Sequence, residues 1–138
     1  MKASCRFAMA LHVLAVLACK DGDHVSSQLL AASINTNPVI IRRLLLALQR
    51  ARLVETRKGP GLGSRLSRAP TRISLVEIFR AVDGEERFVM PAKRPNSACP
   101  VGQRIRPALQ SVFDSARAAL EQDLSKRTLA ELVAGLRK

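Results

Sequence analysis

Two short helical patterns with a three-residue break lie between residues 26 and 48, and they constrain the fold more than any other feature of the chain. Ser26 or Ser27 can cap the first helix, because a serine hydroxyl accepts a hydrogen bond from a backbone N–H of the first turn. That helix is expected to run to Ala32, and Ile34-Asn35-Thr36 breaks its pattern. The sequence therefore predicts a helix, a tight turn and a second helix.

The second helix has a defined start and a single apolar face. Asn37 is the expected N-cap, and Pro38 takes the first helical position, where its missing N–H costs nothing. The apolar residues recur at i, i+3, i+4 and i+7, and they are Ile41, Leu44, Leu45 and Leu48. This spacing predicts a helix that packs against a core through one face only.

A β-hairpin is expected directly after this helix. Residues 53–57 are typical of a short strand, residues 59–63 form a turn with three glycines, and residues 64–67 return as a second strand. A two-stranded hairpin that follows a helix-turn-helix is a wing. The predicted fold is therefore mainly α with a small β-wing, a winged helix-turn-helix.

An apolar run from Phe7 to Cys19 predicts a helix buried at the centre of this domain. The run is too short to cross a bilayer, which takes about 20 apolar residues. We therefore expect no membrane segment and a cytoplasmic protein. In the cytoplasm Cys5, Cys19 and Cys99 are expected to be reduced thiols.

A further helix and a linker are predicted after the hairpin. Ser74-Leu75-Val76-Glu77 is a capping box, and the helix that it opens is expected to close at Asp83-Gly84. The stretch from Met90 to Pro100 is rich in proline and is typical of an irregular linker. We expect the winged helix-turn-helix domain to span residues 1–84, and a linker with dimerisation helices to span residues 85–138.

The C-terminal third is predicted to contain a long amphipathic helix and a short one. Proline is disfavoured inside a helix, so the long helix is expected either to start or to kink at Pro107. Thr128-Leu129-Ala130-Glu131 is a second capping box, which opens the last helix. The apolar stripe that defines the long helix consists of Ile105, Leu109, Val112, Phe113, Ala116, Leu120 and Leu124.

The charge of the chain indicates what it binds. With 23 Lys+Arg and 11 Asp+Glu, its formal net charge is +12 at pH 7. Such an excess on a folded domain points to a polyanion, most often nucleic acid. Aromatic residues make up only 3% of the chain, too few for the stacking platforms of a single-strand binder.

Candidate DNA contacts follow from the way a helix-turn-helix docks. The N-terminal part of its second helix enters the major groove, where arginine pairs with guanine and apolar side chains meet thymine methyls. The wing cations Arg57, Lys58 and Arg65 are expected to neutralise phosphates or to enter a minor groove. The predicted contacts from the turn and the second helix are Thr36, Asn37, Val39, Ile40, Arg42 and Arg43.

Five motifs are distributed over nearly the whole chain, and they are Arg6-Phe7-Ala8, residues 31–44, Gly59-Pro60-Gly61, residues 73–82 and Cys99-Pro100-Val101-Gly102. In these motifs the chain resembles the Rrf2 family of bacterial winged-helix transcription regulators. The resemblance implies a homodimer whose long C-terminal helix crosses to the partner and whose two recognition helices address a palindromic operator in double-stranded DNA. It also implies that Ser4 and Arg6 lie near a phosphate.

One departure from the family pattern bears on the cofactor. Iron–sulfur members carry three cysteines in the linker before the long helix, whereas residues 84–102 contain only Cys99. A [2Fe–2S] cluster needs four ligands. The chain also resembles the cluster-free YwnA-like branch of the family, and we expect no metal and no other cofactor.

Cys99 itself admits two interpretations. Pro100 favours Cys99 as the cap of a helix start, where the helix dipole stabilises a thiolate. A redox thiol that couples oxidation to DNA release is one hypothesis, and a plain thiol packed at the dimer interface is the other.

The function predicted from these features is a homodimeric transcription regulator, a repressor with no catalytic activity. A basic RNA-associated interaction protein would explain the charge but not the capped helix pair followed by a glycine-rich wing. A cysteine-dependent antioxidant enzyme would need catalytic turnover at Cys99, and no Ser/His/Asp or Cys/His spacing typical of catalysis is present.

Overall fold

The computed structural model describes residues 3–59, 62–83 and 88–137, with only the backbone of residues 3 and 4. Within these ranges the chain forms six helices, one 3-10 turn and one two-stranded antiparallel sheet. In chain order the elements are α1 (Ala3–Cys19), α2 (Ser27–Ile34), α3 (Pro38–Arg50), β1 (Val54–Thr56), β2 (Ser64–Leu66), the 3-10 turn Pro70–Arg72, α4 (Leu75–Val82), α5 (Pro100–Ser125) and α6 (Leu129–Leu136).

Helix α1 lies at the centre of the fold and contacts α2, α4, α6 and β2. Ala10, Val13 and Leu14 have no exposed surface, which confirms the prediction of a buried helix. Phe7 meets Phe79 of α4 edge to face, with the ring centroids 5.5 Å apart. In the described ranges, no helix combines the length and apolar character that crossing a membrane requires.

The helix-turn-helix forms as predicted, with one change of boundary. Ser26 rather than Ser27 caps α2, because its Oγ accepts from the N–H of Leu29 at 3.1 Å. Helix α2 continues beyond Ala32 to Ile34. It ends there because Asn35 adopts a left-handed conformation (φ 63°) and donates its N–H back to the last carbonyls of the helix. Residues 35–37 then form a three-residue turn, one residue later than the predicted break at Ile34-Asn35-Thr36.

The wing is shorter than predicted and has an additional connection. β1 and β2 pair with Glu55 opposite Arg65, and beyond them one backbone hydrogen bond at each end, from Ser67 to Leu53 and from Arg57 to Gly63, continues the pairing. The N–H of Leu53 donates instead to the carbonyl of the helical residue Leu48 at 3.0 Å. Val25 and Ser64 exchange two backbone hydrogen bonds of 2.8 Å each, which the sequence did not predict. These bonds tie the wing to the segment that precedes α2.

Helix α5 begins at Pro100, with Cys99 as its N-cap, and Pro107 lies in its interior. Of the two alternatives for Pro107, a helix start is therefore excluded, and the predicted helix start with Cys99 as its cap is confirmed. A proline in this position has no N–H to donate to the carbonyl of Gln103, so it removes one intrahelical hydrogen bond. Pro107 is exposed, so water can reach that carbonyl.

The apolar stripe of α5 divides between two surfaces. Leu124 is buried in the central core and Leu120 packs against it. Phe113 stacks on Phe88 of the preceding segment, with ring centroids 5.5 Å apart. Val101 and Val112, in contrast, are 65% and 61% exposed. The stripe predicted as one surface therefore serves partly for packing within the chain.

Helix α6 returns to the first domain. Leu129 and Val133 are buried in the same core as α1, and the N–H of Leu129 donates to the carbonyl of Ile73 at 2.9 Å. Thr128 caps α6 by accepting from the N–H of Glu131 at 3.2 Å. Of the helices in the described ranges, only α4 shows both bonds of a capping box. The predicted boundary at residue 84 lies outside the described residues and stays a prediction.

Candidate nucleic-acid interface

Helix α3 is attached to the core by one face and exposed on the other. Its four buried residues are the four predicted from their spacing, Ile41, Leu44, Leu45 and Leu48. On the opposite side Val39 is 47% exposed, and Arg42 and Arg43 are exposed as well. A helix held in this way presents its outer side to a partner without losing its packing.

The side chains at the start of α3 differ in how much of their surface is available. Asn37 caps the helix, because its Oδ1 accepts from the N–H of Val39 at 2.8 Å. Asn37 is exposed as a whole, and its Nδ2 group is a donor that the cap does not use. Thr36 is half-buried, and its backbone N–H is bonded to the carbonyl of Ala31. Ile40 is half-buried and packs against the core, so only part of its side chain can reach DNA.

Arg42 and Arg43 lie on different sides of α3. Arg43 lines a cavity of about 350 Å³ together with Arg6 and Ile40. Arg42 lines a groove of about 440 Å³ between α3 and the wing. The structure therefore places Arg43 beside Arg6, and it places Arg42 beside the wing. Ser4 lies in the first turn of α1, and its side chain is outside the described part of the structure.

The three predicted wing cations do not form one group. Arg57 and Lys58 are exposed and line the groove beside Arg42. Arg65 instead forms an ion pair with Glu55 directly across the sheet, with 3.1 Å between Nε and Oε2. This pair offsets the charge of Arg65, so the uncompensated charge of the wing is on the side that faces α3.

Several residues of the groove were not identified from the sequence, among them Gln28 of α2, Leu46 and Gln49 of α3, and Leu62 of the wing. Leu46 and Gln49 lie four and seven positions after Arg42, so the helical wheel places them on the same flank. That signal was present in the sequence. Gln28 belongs to another element, and only the packing of α2 against α3 brings it to this flank.

The cysteines lie apart from one another. Cys5 and Cys19 are on α1, Cys99 caps α5, and all three are exposed free thiols. The Cys99 side chain makes no capping hydrogen bond. In the described ranges no three His, Cys, Asp or Glu side chains are grouped so that they could hold a metal ion.

Known proteins resemble this chain over most of its length. YwnA of Bacillus subtilis (strain 168), which is named as an HTH-type transcriptional regulator, is 36% identical over 128 residues, covering 93% of this chain and 94% of YwnA. A crystal structure of a DNA binding protein is 35% identical with a TM-score of 0.72, and the match covers 92% of this chain and 97% of that one. A transcriptional regulator from Lactobacillus plantarum is 26% identical with a TM-score of 0.78, over 96% of this chain and 89% of that one.

Residues 3–135 match the Rrf2 family, which is described as "Iron-dependent Transcriptional regulator". The match covers α1, the helix-turn-helix, the wing and nearly all of the C-terminal helices. Members of this family are transcription regulators rather than enzymes. The chain therefore belongs to the Rrf2 family of DNA-binding transcription regulators, with a winged helix-turn-helix and a long C-terminal helix.

Proposed function

We propose that the protein is a homodimeric, cluster-free repressor that binds a palindromic operator. The observation that carries this proposal is the outer side of α3. Val39, Arg42 and Arg43 are exposed there, while the opposite face of the helix is buried in the core. A helix anchored in this manner can enter a major groove as a rigid body, and arginine is the side chain that pairs with guanine there.

The residues that we propose to contact DNA have different tasks. The turn and α3 supply base and nearby phosphate contacts, Arg6 and Ser4 approach the backbone beside α3, and the wing provides phosphate or minor-groove contacts. Arg65 is the weakest member of this set, because Glu55 already pairs with it. The full set is Ser4, Arg6, Thr36, Asn37, Val39, Ile40, Arg42, Arg43, Arg57, Lys58 and Arg65.

A symmetric dimer is supported by the exposed side of α5. This helix has 26 residues, which corresponds to a length of about 39 Å at 1.5 Å per residue. Val101 and Val112 are largely exposed along it, and such apolar surface on a long helix is typical of an interface. A two-fold axis between the helices would repeat α3 and match a two-fold operator.

The residues of this chain do not fit an iron–sulfur cluster, although the family is described as iron-dependent. A [2Fe–2S] cluster needs four ligands close together. The chain has three cysteines, two of them on α1 and one at the start of α5. Cys99 is the single cysteine of the segment before α5, and we assign the protein no cluster.

A thiol switch at Cys99 is the alternative mode of regulation. The exposure of the Cys99 thiol at the start of α5 is the observation that favours it, because an oxidant can reach the sulfur atom. Peroxide should then lower operator affinity in the wild type and leave Cys99→Ser unchanged. Equal responses of the two proteins would exclude this mode.

Repression and location follow from the same interface. A dimer bound across an operator excludes other proteins from that DNA, so repression is the mode of action that we propose. A DNA-binding regulator of this type works where the bacterial chromosome is, so we assign the protein to the cytoplasm.

Selection of duplex DNA from a random pool tests the proposal. We expect an enriched palindromic sequence that binds at least 1000-fold more tightly than a scrambled duplex, the low end of specific binding. Structured RNA of similar length serves as the control. RNA binding that equals or exceeds binding to the selected DNA would refute the proposal in favour of an RNA-associated protein.

A further inference from the structure

A groove of about 440 Å³ separates α3 from the wing. Three elements line it, since α2 contributes Gln28, α3 contributes Arg42, and the hairpin contributes Arg57 and Lys58. Among the described residues that line the groove there is no acidic side chain. The groove is therefore strongly electropositive.

The register of the hairpin explains why this charge is not offset. Glu55 is the only acidic residue between positions 53 and 67. Successive side chains of a strand point to opposite faces. Glu55 pairs with Arg65 on the face away from the groove, whereas Thr56 and Ser64 line the groove and are hydrogen-bonded to each other at 2.9 Å. The carboxylate of Glu55 is thus paired with Arg65 and does not belong to the groove lining that contains Arg57 and Lys58.

Apolar side chains lie between these cations. Leu46 of α3 and Leu62 of the wing are 48% and 40% exposed, and both line the groove. A groove that combines cations with exposed leucines suits a ligand that has both anionic groups and C–H groups. The cations would contact the anionic groups, and the leucines would pack against the C–H groups. A sugar–phosphate chain has this chemistry.

The docking geometry identifies the same ligand. In DNA the major and minor grooves are separated by one sugar–phosphate strand. If α3 enters the major groove and the wing approaches the adjacent minor groove, that strand must pass between them. The space between α3 and the wing is the groove described here.

We propose that this groove holds one sugar–phosphate strand of the operator, with Arg42, Lys58 and Gln28 at its phosphates and Leu46 and Leu62 against its deoxyriboses. The proposal rests on the proposed function. It adds Gln28 and the two leucines to the interface. It also assigns Arg42 to the backbone, which leaves base readout to the other side of α3, where Arg43 lies.

Two variants and a matched control test the groove with the selected operator and a scrambled duplex. Arg42→Ala and Gln28→Glu each alter an exposed side chain, so folding should be retained, which thermal unfolding verifies. Each variant should lower the affinity for the operator and the affinity for the scrambled duplex by the same factor, about tenfold per half-site. The two losses should match because a phosphate contact carries no sequence information. Arg42→Ala should also reduce the salt dependence by about one unit per half-site. Gln122→Glu makes the same chemical change on an exposed part of α5 and should leave both affinities nearly unchanged.

A second measurement locates the strand. Methylphosphonate groups replace the operator phosphates one at a time, which removes their charge. At the phosphate that Arg42 holds, the substitution should weaken the wild type about tenfold and leave Arg42→Ala unaffected. Equal weakening of both proteins at every position would overturn the proposal, and so would a change of base preference in Arg42→Ala. If the wild type selects no operator, the proposed function fails instead, so the two failures are distinguishable.

Discussion

Arg42 and Arg43 are adjacent in the sequence, yet they have different neighbours. Arg43 lies beside Arg6 and Ile40, and Arg42 lies beside the wing. The difference arises because successive residues of a helix are 100° apart, which is enough to place two neighbours on opposite flanks of an outward face. The helical wheel thus places Arg43 opposite the core face and Arg42 on a flank, and the structure shows which residues lie beside each of them.

Replacing Arg43 tests this separation. Arg43→Ala should spare folding, because the side chain is exposed and lies outside the buried face of α3. It should cost about 1–3 kcal/mol on the operator and relax preference at one base position per half-site. Fluorescence titration of operator and scrambled DNA measures both effects. Arg137→Ala removes the same charge from an exposed C-terminal residue and serves as the control. Equal losses on both duplexes would show that Arg43 does not read a base.

At the scale of elements, the attachment of the wing depends on one close backbone approach. A Cβ atom at Gly63 would lie 2.2 Å from the carbonyl oxygen of Val25, which is far inside van der Waals contact. Val25 is also the residue that exchanges two hydrogen bonds with Ser64. Only glycine at position 63 allows the segment before α2 and the second strand to pair.

Gly63→Ala should therefore destabilise the protein by about 1–3 kcal/mol, the usual cost of overpacking. It should also weaken DNA binding, because the wing shifts relative to α3. Gly135→Ala is the matched control, since a Cβ there meets nothing within 4 Å, and it lies inside α6. That substitution should stabilise the protein by about 0.5–1 kcal/mol. Urea denaturation measures both, and a stable Gly63→Ala protein would contradict the close approach.

The capping box of α4 predicts a dependence of stability on pH. Burial raises the pKa of Glu77, but hydrogen bonds from the Ser74 N–H, the Arg68 guanidinium and the Ser74 hydroxyl outweigh it. The pKa is therefore lowered from its ordinary value of 4.5. A carboxyl group with a lowered pKa stabilises the fold above its unfolded pKa, and this contribution is lost as the pH falls through the folded pKa.

Glu77→Gln should accordingly cost about 0.5–1 kcal/mol at pH 7, a low value because the ion pair with Arg68 is partly exposed. The difference from the wild type should shrink below about pH 4.5. Urea denaturation at both pH values measures it. Glu131→Gln is the control. Glu131 has the corresponding position in the cap of α6, where Thr128 accepts from its N–H but the Glu131 side chain makes no capping-box bond in return. A difference that stays constant from pH 7 to pH 3.5 would contradict the assignment.

At the scale of the whole molecule, α5 has two sides with different uses. Phe113 and Leu124 pack within the chain, whereas Val101 and Val112 remain exposed. A dimer that uses the exposed side leaves the winged helix-turn-helix core of each protomer intact. We therefore expect a substitution on the exposed side of α5 to prevent the proposed dimerisation without unfolding the domain.

Val112→Glu should shift the protein from dimer to folded monomer at micromolar concentration, because it places a charge in the proposed interface. Operator affinity should fall with it, since two linked recognition helices become one. Ser111→Glu introduces the same charge at the neighbouring exposed position, which faces another side of α5, and should leave the dimer intact. Sedimentation velocity measures the outcome. A wild type that is already monomeric would refute the dimer, and a dimeric Val112→Glu would refute this interface.

The sequence by itself determined the features that depend on residues within about four positions of one another. The cap at Asn37 and the buried face of α3 are of this type, because a cap bond and a helical face are local. The charge of the chain and the family motifs were also visible without coordinates. They were enough to predict a winged helix-turn-helix that binds DNA.

Only the tertiary structure decided which distant residues meet. It paired Arg65 with Glu55, brought Gln28 to the groove beside Arg42, and directed part of the α5 stripe into the chain's own core. It also returned α6 to the core around α1, although the sequence grouped that helix with the dimerisation segment. A hydrophobic pattern predicts that a face of an element will be buried, but it does not specify which other element packs against that face, because the hydrophobic effect is non-directional. The partner is selected by how all the elements pack at once.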